Sequence, residues 1–94
     1  LKGYKELWYR MLTDYADNLE DPAVATVAFD SFPQVWELCR FGFLQERQEL
    51  AVSRAQPHRE SLLQIEYGEP NARMRQLIYA AREMDKNLIL THPL

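Results

Sequence analysis

The stretch VATVAF, residues 24–29, is closed by Asp30 and Ser31 and decides how this 94-residue chain is expected to fold. It is apolar or β-branched throughout, and it is too short for a buried helix with such sharp ends. An unbroken run of this kind is typical of a strand that is buried on both faces, as in a parallel sheet. We therefore predict a strand over 24–30 with both of its faces covered.

A second short run, NLIL, leads into Thr91 and His92 and predicts another strand over 87–92. The chain between the two runs carries helical patterns, so the strands are expected to be adjacent, parallel and joined by a right-handed crossover. This order of elements defines an α/β fold with helices packed on the faces of the sheet. Two strands alone make a marginal sheet, and the chain starts at Leu1 rather than at a methionine, so we expect it to be part of a larger domain.

Helices are predicted over 1–19, 31–55 and 70–85, with a polar excursion over 56–69. The first of them has apolar residues three and four positions apart on one face, which are Tyr4, Leu7, Trp8, Met11, Leu12, Tyr15 and Leu19. The second begins at Ser31 with capping-box spacing, and Trp36 on it is interpreted as a packing residue, like Trp8. The polar residues that begin near its end indicate either a solvated helix end followed by a loop or a mobile excursion.

The composition excludes several classes of protein. The net charge is −3, from 11 Lys and Arg against 14 Asp and Glu, which argues against a surface built entirely for nucleic acid. Hydrophobic residues make up 47% of the chain, so it is not expected to be disordered. The single Cys39 excludes an internal disulfide, and no Cys/His cluster has zinc-site spacing. No apolar run approaches the roughly 20 residues that cross a bilayer, so we expect a cytoplasmic protein without a membrane partner.

Polar residues that follow the two strands are the candidates for a functional site. Ligands of open α/β sheets lie beyond the carboxyl ends of the strands, where Asp30 and Ser31 follow the first strand and Thr91 and His92 the second. A carboxylate there suits Mg²⁺ held through water, and a hydroxyl or imidazole beside it suits the terminal phosphate of a nucleotide. The alternative is that Asp30 merely ends a strand and His92 lies in an ordinary turn.

The motifs on these strands carry a resemblance to a known family. ATVAFDSF with VWEL, within residues 25–38, resembles the Walker B strand and the following helix of RecA-like P-loop ATPases, and the phage-type AAA-domain ATPases in particular. NLILTH, residues 87–92, is similar to the next core strand of these proteins, which ends in a polar sensor. YGEPNARMRQLIYAAR, residues 67–82, also looks like the phage group. The resemblance spans roughly residues 24–92.

This resemblance implies a fragment of a three-layer RecA-like P-loop domain that uses ATP and Mg²⁺ and acts in phage DNA metabolism. Asp30 would be the Walker B acid that supports Mg²⁺ through water, and Thr91 and His92 would be sensor-position residues. Ser31 stands where many relatives in the wider AAA class have a catalytic glutamate, so the catalytic base has no assignment. The implied partner is the remainder of the ATPase domain, and a homo-oligomer and DNA are left open as further partners of the parent protein.

The phosphate-binding loop of the family is missing from this sequence. No G-x-x-x-x-G-K-[ST] occurs, and the three glycines, Gly3, Gly42 and Gly68, belong to no such loop. Without it the chain has neither the backbone cradle nor the lysine that hold the β- and γ-phosphates. We therefore expect the chain alone to be inactive and to hold no cofactor, and we expect the loop upstream of Leu1 in a longer protein.

A second class of function is kept beside the ATPase hypothesis. The chain would then be a small non-catalytic α/β or helical interaction module, with the aromatic-rich helix 4–19 as its binding surface. An exposed apolar face on that helix would favour this alternative, whereas Asp30 in a crevice shared with Thr91 would favour the ATPase. The basic residues of the last helix, Arg73, Arg75 and Arg82, indicate an arginine finger, a nucleic-acid contact or simply a solvated face.

Overall fold

The computed structural model describes residues 1–93, which form three helices, a 3-10 turn and two short strands. In chain order the elements are α1 (Tyr4–Glu20), β1 (Thr26–Phe29), α2 (Phe32–Ser53), a 3-10 turn (Gln64–Tyr67), α3 (Gly68–Glu83) and β2 (Asn87–Leu90). Within the predicted polar excursion, the structure forms the 3-10 turn and begins α3 at Gly68, two residues before Pro70. A proline is tolerated there because the first helical turn has unpaired N–H groups in any case.

The two strands form a parallel pair, as the sequence predicts. Thr26 lies opposite Asn87 and Phe29 lies opposite Leu90. The backbone N–H of Asn87 donates to the Ala25 carbonyl at 3.0 Å, and that of Thr91 donates to the Phe29 carbonyl at 3.1 Å. The hydrogen-bond ladder therefore extends one residue before the start of β1, to Ala25, and one residue past the end of β2, to Thr91. With its helices and parallel strands, the chain is of the α/β class.

Only one face of this sheet is covered by the described residues. Val27, Phe29 and Leu88 pack against the core, whereas the alternate residues of both strands point away from it and are exposed, namely Thr26, Ala28, Asn87 and Ile89. The prediction that the strands are buried on both faces is therefore wrong for residues 1–93. An apolar run shows that side chains are suited to burial, but it does not supply the element that covers them. The radius of gyration is 15.0 Å, whereas a compact domain of this length has about 12 Å.

The core joins the inner face of the sheet to all three helices. Its buried members are Trp8, Tyr15 and Leu19 from α1, Val35 and Cys39 from α2, and Met74, Leu77 and Ala81 from α3. Leu7 is an exception to the predicted apolar face of α1, because it is 52% exposed. Where α1 crosses α2, a Cβ on Gly42 would lie 3.4 Å from both Lys5 Cα and Trp8 Cβ, so the missing side chain lets the helices approach closely.

Two glutamines in the polar half of α2 are buried, which the sequence does not indicate. Gln45 is 2% exposed, and its Oε1 accepts the backbone N–H of Lys5 at 2.9 Å. Gln48 is 8% exposed, and its side-chain N–H donates to the Arg59 carbonyl at 2.5 Å. The first N–H groups of a helix have no partner within it, so Gln45 satisfies one of those that α1 leaves free. The solvated-end interpretation of this part of α2 is thus corrected.

A single carboxylate fastens the segment after α2 to the rest of the chain. Glu66 accepts Arg59 Nη1 at 2.8 Å, Arg47 Nε at 3.1 Å and the backbone N–H of Leu63 at 2.8 Å. Hydrogen bonding from Arg59 is the main cause that lowers the pKa of Glu66 to about 2, and the backbone bond and Arg47 act in the same direction. The charged form of Glu66 therefore stabilises the folded chain.

This contact predicts a stability that depends on pH. Because the folded pKa of Glu66 lies below its usual value of 4.5, its contribution is complete above that pH and is lost as the pH falls towards about 2. At pH 7 we expect Glu66→Gln to lower the free energy of unfolding by roughly 1–2 kcal/mol. Urea unfolding across this pH range measures the difference, with exposed Glu60→Gln as the matched control. A difference that does not shrink on acidification would contradict the assignment.

Candidate functional site

Asp30 and Thr91 meet where the two strands end. The register that pairs Phe29 with Leu90 carries the next residues of both strands to the same edge of the sheet. The Thr91 hydroxyl donates to Asp30 Oδ1 at 2.7 Å, and the Phe29 carbonyl is a longer second acceptor at 3.2 Å. Asp30 is exposed and Thr91 is half-buried, so the carboxylate faces solvent while the hydroxyl is fixed by the sheet.

The backbone around this pair ties the two strand ends together. The N–H of Phe32, at the start of α2, donates to the Thr91 carbonyl at 2.8 Å. The N–H of Ser31 donates to Gln34 Oε1 at 3.4 Å, which is the reciprocal bond of the predicted capping box. The peptide bond between Asp30 and Ser31 is cis. Ser31, the residue after Asp30, is the N-cap of α2.

His92 lies next to Thr91 in sequence but turns towards α2. Its ring stands edge-on to Phe32, with 5.9 Å between the ring centroids. No hydrogen bond joins His92 to Asp30 within the part of the chain that the structure describes. Of the four predicted site residues, the structure thus brings Asp30 and Thr91 into contact, places Ser31 beside them and directs His92 to an aromatic neighbour.

The side-chain oxygen atoms at the strand ends suit a divalent cation that is held through water molecules and is also bound by a substrate. Mg²⁺ prefers oxygen ligands and is commonly held by one or two carboxylates together with substrate phosphates and water. Asp30 offers one exposed carboxylate, and Thr91 offers a hydroxyl next to it. Among residues 1–93 no group of three Asp, Glu, His or Cys side chains comes together as a metal site. The residues present fit Mg²⁺ that arrives with a nucleotide, and they do not make a metal site by themselves.

An open groove lined by aromatic rings lies next to this pair. The groove has a volume of about 350 Å³ and is lined by Phe32, Pro33, Trp36, Asn71, Met74 and His92. Trp36 is half-buried and packs against the core, as its interpretation as a packing residue predicts, and Trp8 is 1% exposed. The groove was not predicted from the sequence. The signal that indicates it is the spacing of Phe32 and Trp36, which lie one helical turn apart and close to a strand end.

Two of the basic residues near the end of the chain have structural partners. Arg73 pairs with Glu46 and with Glu69, each at 3.1 Å, and its guanidinium lies 5.3 Å from the centre of the Phe43 ring. Lys86 Nζ donates to the Asp21 carbonyl at 2.9 Å and to the Val24 carbonyl at 2.6 Å, which joins the starts of β1 and β2. These contacts engage both side chains within the chain, so neither is assigned to a finger or to a nucleic acid. Arg75 and Arg82 are exposed.

Comparison of the chain with protein-family models, curated proteins and solved structures finds no match. Over residues 1–93, none of the helices has both the length and the apolar character needed to cross a membrane.

Proposed function

We propose that this chain is the Walker B and sensor part of a RecA-like P-loop ATPase. The observation that carries the proposal is the 2.7 Å hydrogen bond between Thr91 and Asp30 at the carboxyl ends of two adjacent parallel strands. That edge of an open α/β sheet is where ligands bind. A carboxylate and a hydroxyl in contact there support a site for the metal and terminal phosphate of a nucleotide.

Each residue then has a distinct task. Asp30, which is exposed, would hold Mg²⁺ through water and would offset part of its charge. Mg²⁺, when bound, neutralises the phosphate oxygens on which negative charge develops during transfer. Thr91, a sensor-position residue like His92, donates its one hydroxyl proton to Asp30 and thereby orients the carboxylate. Ser31 follows Asp30 in sequence and is the N-cap of α2, so it is the second residue proposed to contact the nucleotide.

The remaining parts of the proposal rest on the resemblance alone. The phosphate loop that cradles the nucleotide comes from another segment of the parent protein, because this sequence has none. The remainder of the ATPase domain is therefore the main partner, with a homo-oligomer as a further one. Coupling of ATP hydrolysis to phage DNA metabolism, in the cytoplasm, completes the proposed function.

The burial of α1 argues against the alternative of an interaction module. The aromatic side chains that would form its binding surface face the core, since Trp8 is 1% and Tyr15 is 5% exposed. The Tyr15 hydroxyl also donates to the Leu77 carbonyl on α3. The exposed apolar residues left on α1 are Leu7 and Tyr9, and Tyr9 is hydrogen bonded to Glu46 at 2.7 Å. The accessible apolar surface of α1 is thus reduced to its side next to β1, where Leu7 and Met11 line an open groove.

Substitution of Thr91 tests the proposed site in the full-length ATPase. Thr91→Ala removes the hydroxyl that contacts Asp30, and we expect a fall in turnover of about tenfold, equal to about 1.4 kcal/mol of transition-state stabilisation. Thr91→Ser keeps the hydroxyl and is expected to retain most of the activity. The measurement is the steady-state ATPase rate beside thermal melting. Wild-type turnover in a folded Thr91→Ala variant would remove Thr91 from the site.

A further inference from the structure

We propose that two copies of this chain associate through the free edge of β1 and the side of α1 next to it. The backbone of β1 supplies the first support. The Ala25 and Phe29 carbonyls accept hydrogen bonds from β2, and peptide groups alternate in direction along a strand, so those of Thr26 and Ala28 point away from β2. No second strand pairs with β1 among residues 1–93. The N–H and C=O groups of Ala28 are thus available to another strand.

An open groove along this edge gives such a strand room to enter. The groove has a volume of about 410 Å³ and is lined mainly by residues of α1 and β1. Leu7 and Met11 contribute apolar surface to it, and Leu7 is 52% exposed. Ala28 lines the same groove and is exposed. A strand that pairs with Ala28 would therefore satisfy the backbone of β1 and bury apolar surface of α1 at the same time.

The charges along the groove favour a second copy of this chain as the occupant. Arg10 and Asp14 both line the groove, are exposed and form no ion pair among residues 1–93. An antiparallel pair of β1 strands about a two-fold axis makes the two α1 helices antiparallel as well, because each helix is fixed to its own strand. An axis near Leu12 then sets Arg10 of each copy against Asp14 of the other, so the surface is complementary to itself.

The proposed dimer is closed, because both copies use the same edge. Its sheet has four strands in the order β2–β1–β1–β2, whereas the two strands of one copy make a marginal sheet. The inference specifies the homo-oligomer named in the proposed function, but it requires neither ATP nor a metal. Its test contains no nucleotide, so a failure of the dimer and a failure of the ATPase are distinguished.

The first measurement is the mass of the 94-residue chain by sedimentation equilibrium over a range of concentrations. We expect a species of twice 11.1 kDa that dissociates on dilution. Arg10→Asp and Asp14→Arg are each expected to weaken the dimer by about tenfold or more, since like charges then oppose each other at two places. Arg75→Asp is the matched control, because Arg75 is an exposed arginine that does not line the groove and forms no ion pair among residues 1–93.

A mixture of the two variants separates this interface from any other. The Arg10→Asp chain carries two carboxylates along the groove, and the Asp14→Arg chain carries two guanidinium groups. Each variant therefore repels its own copies and attracts the other variant. We expect the mixture to form a heterodimer about as tightly as the wild type forms its homodimer. The chain with both substitutions is expected to form a homodimer again.

Amide hydrogen exchange, followed by NMR, reports on the strand edge itself. We expect the Ala28 N–H to exchange more slowly in concentrated than in dilute samples, whereas the Val27 N–H, which points to β2, serves as the internal control. The proposal is overturned if the wild type stays monomeric up to about 1 mM, or if exchange at Ala28 is independent of concentration. It is equally overturned if the folded Arg10 and Asp14 variants associate like Arg75→Asp, or if their mixture stays monomeric.

Discussion

If the parent protein is the proposed ATPase, replacement of Asp30 by asparagine in it is expected to lower the rate of ATP hydrolysis by about a hundredfold, which corresponds to about 3 kcal/mol of transition-state stabilisation. The substitution keeps the size of the side chain and its contact with the Thr91 hydroxyl, which lies 2.7 Å from Oδ1. It removes the negative charge that, in the proposed site, would offset part of the charge of Mg²⁺. Phosphoryl transfer depends largely on positioning and on electrostatic stabilisation, so the loss is expected in turnover.

The measurement is the steady-state ATPase rate, with nucleotide affinity and thermal melting recorded on the same samples. Nucleotide binding through the phosphate loop is expected to persist, because Asp30 acts on the metal rather than on the base or sugar. Glu37→Gln on α2 is a matched control, since it also neutralises an exposed carboxylate but lies away from the strand ends. Near-wild-type turnover by a well-folded Asp30→Asn variant would end the case for a Walker B residue, and with it the proposed ATPase.

Truncation of Trp8 is expected to have the largest effect on stability. Trp8 is 1% exposed, and it packs where Gly42 lets α1 approach α2. We expect Trp8→Ala to lower the free energy of unfolding by about 3–5 kcal/mol, because it removes buried surface and leaves a cavity. Small domains are stable by only about 5–15 kcal/mol, so the variant keeps a small margin or none. Urea unfolding of the 94-residue chain, followed by circular dichroism, measures the loss.

Trp8→Phe separates packing from hydrogen bonding at the same position. The Trp8 Nε1 atom has no hydrogen-bond partner among the described residues. Phenylalanine therefore removes part of the ring without breaking a hydrogen bond, and we expect a cost of about 1–2 kcal/mol. A Trp8→Ala variant whose stability lies within 1 kcal/mol of the wild type would show that the α1–α2 junction is not the centre of the core.

The elements that repeat a local pattern could be predicted from the sequence. Apolar spacing on α1 and the two short runs that became β1 and β2 are local properties, and a helical crossover makes the strands parallel. The contact between Asp30 and Thr91 follows from the same reasoning, because parallel strands end at the same edge. Their roles in catalysis stay predictions, since geometry alone does not report a reaction.

The parts that depend on distant neighbours could not be predicted. Gln45 and Gln48 belong to a polar stretch that predicts solvated residues, yet both are buried. Gln45 bonds to the start of α1, and Gln48 bonds to Arg59 in the segment after α2. Trp36 has the spacing of a core residue, but α3 leaves an open groove beside it. Likewise, Ile89 belongs to an apolar run, and its exposure results from the lack of any described element over that face of the sheet.

Because the outer face of the sheet is uncovered, the stability of this chain depends on the concentration of whatever binds that face. Ile89 is 50% exposed, and burial of its remaining apolar surface would contribute roughly 1 kcal/mol. Any segment or molecule that binds this face of the folded chain, and does not bind the unfolded chain, raises the free energy of unfolding. The increase grows with the ratio of its concentration to its dissociation constant. The melting temperature of the same 94 residues is thus set jointly by their own packing and by whatever occupies the outer surface of β1 and β2.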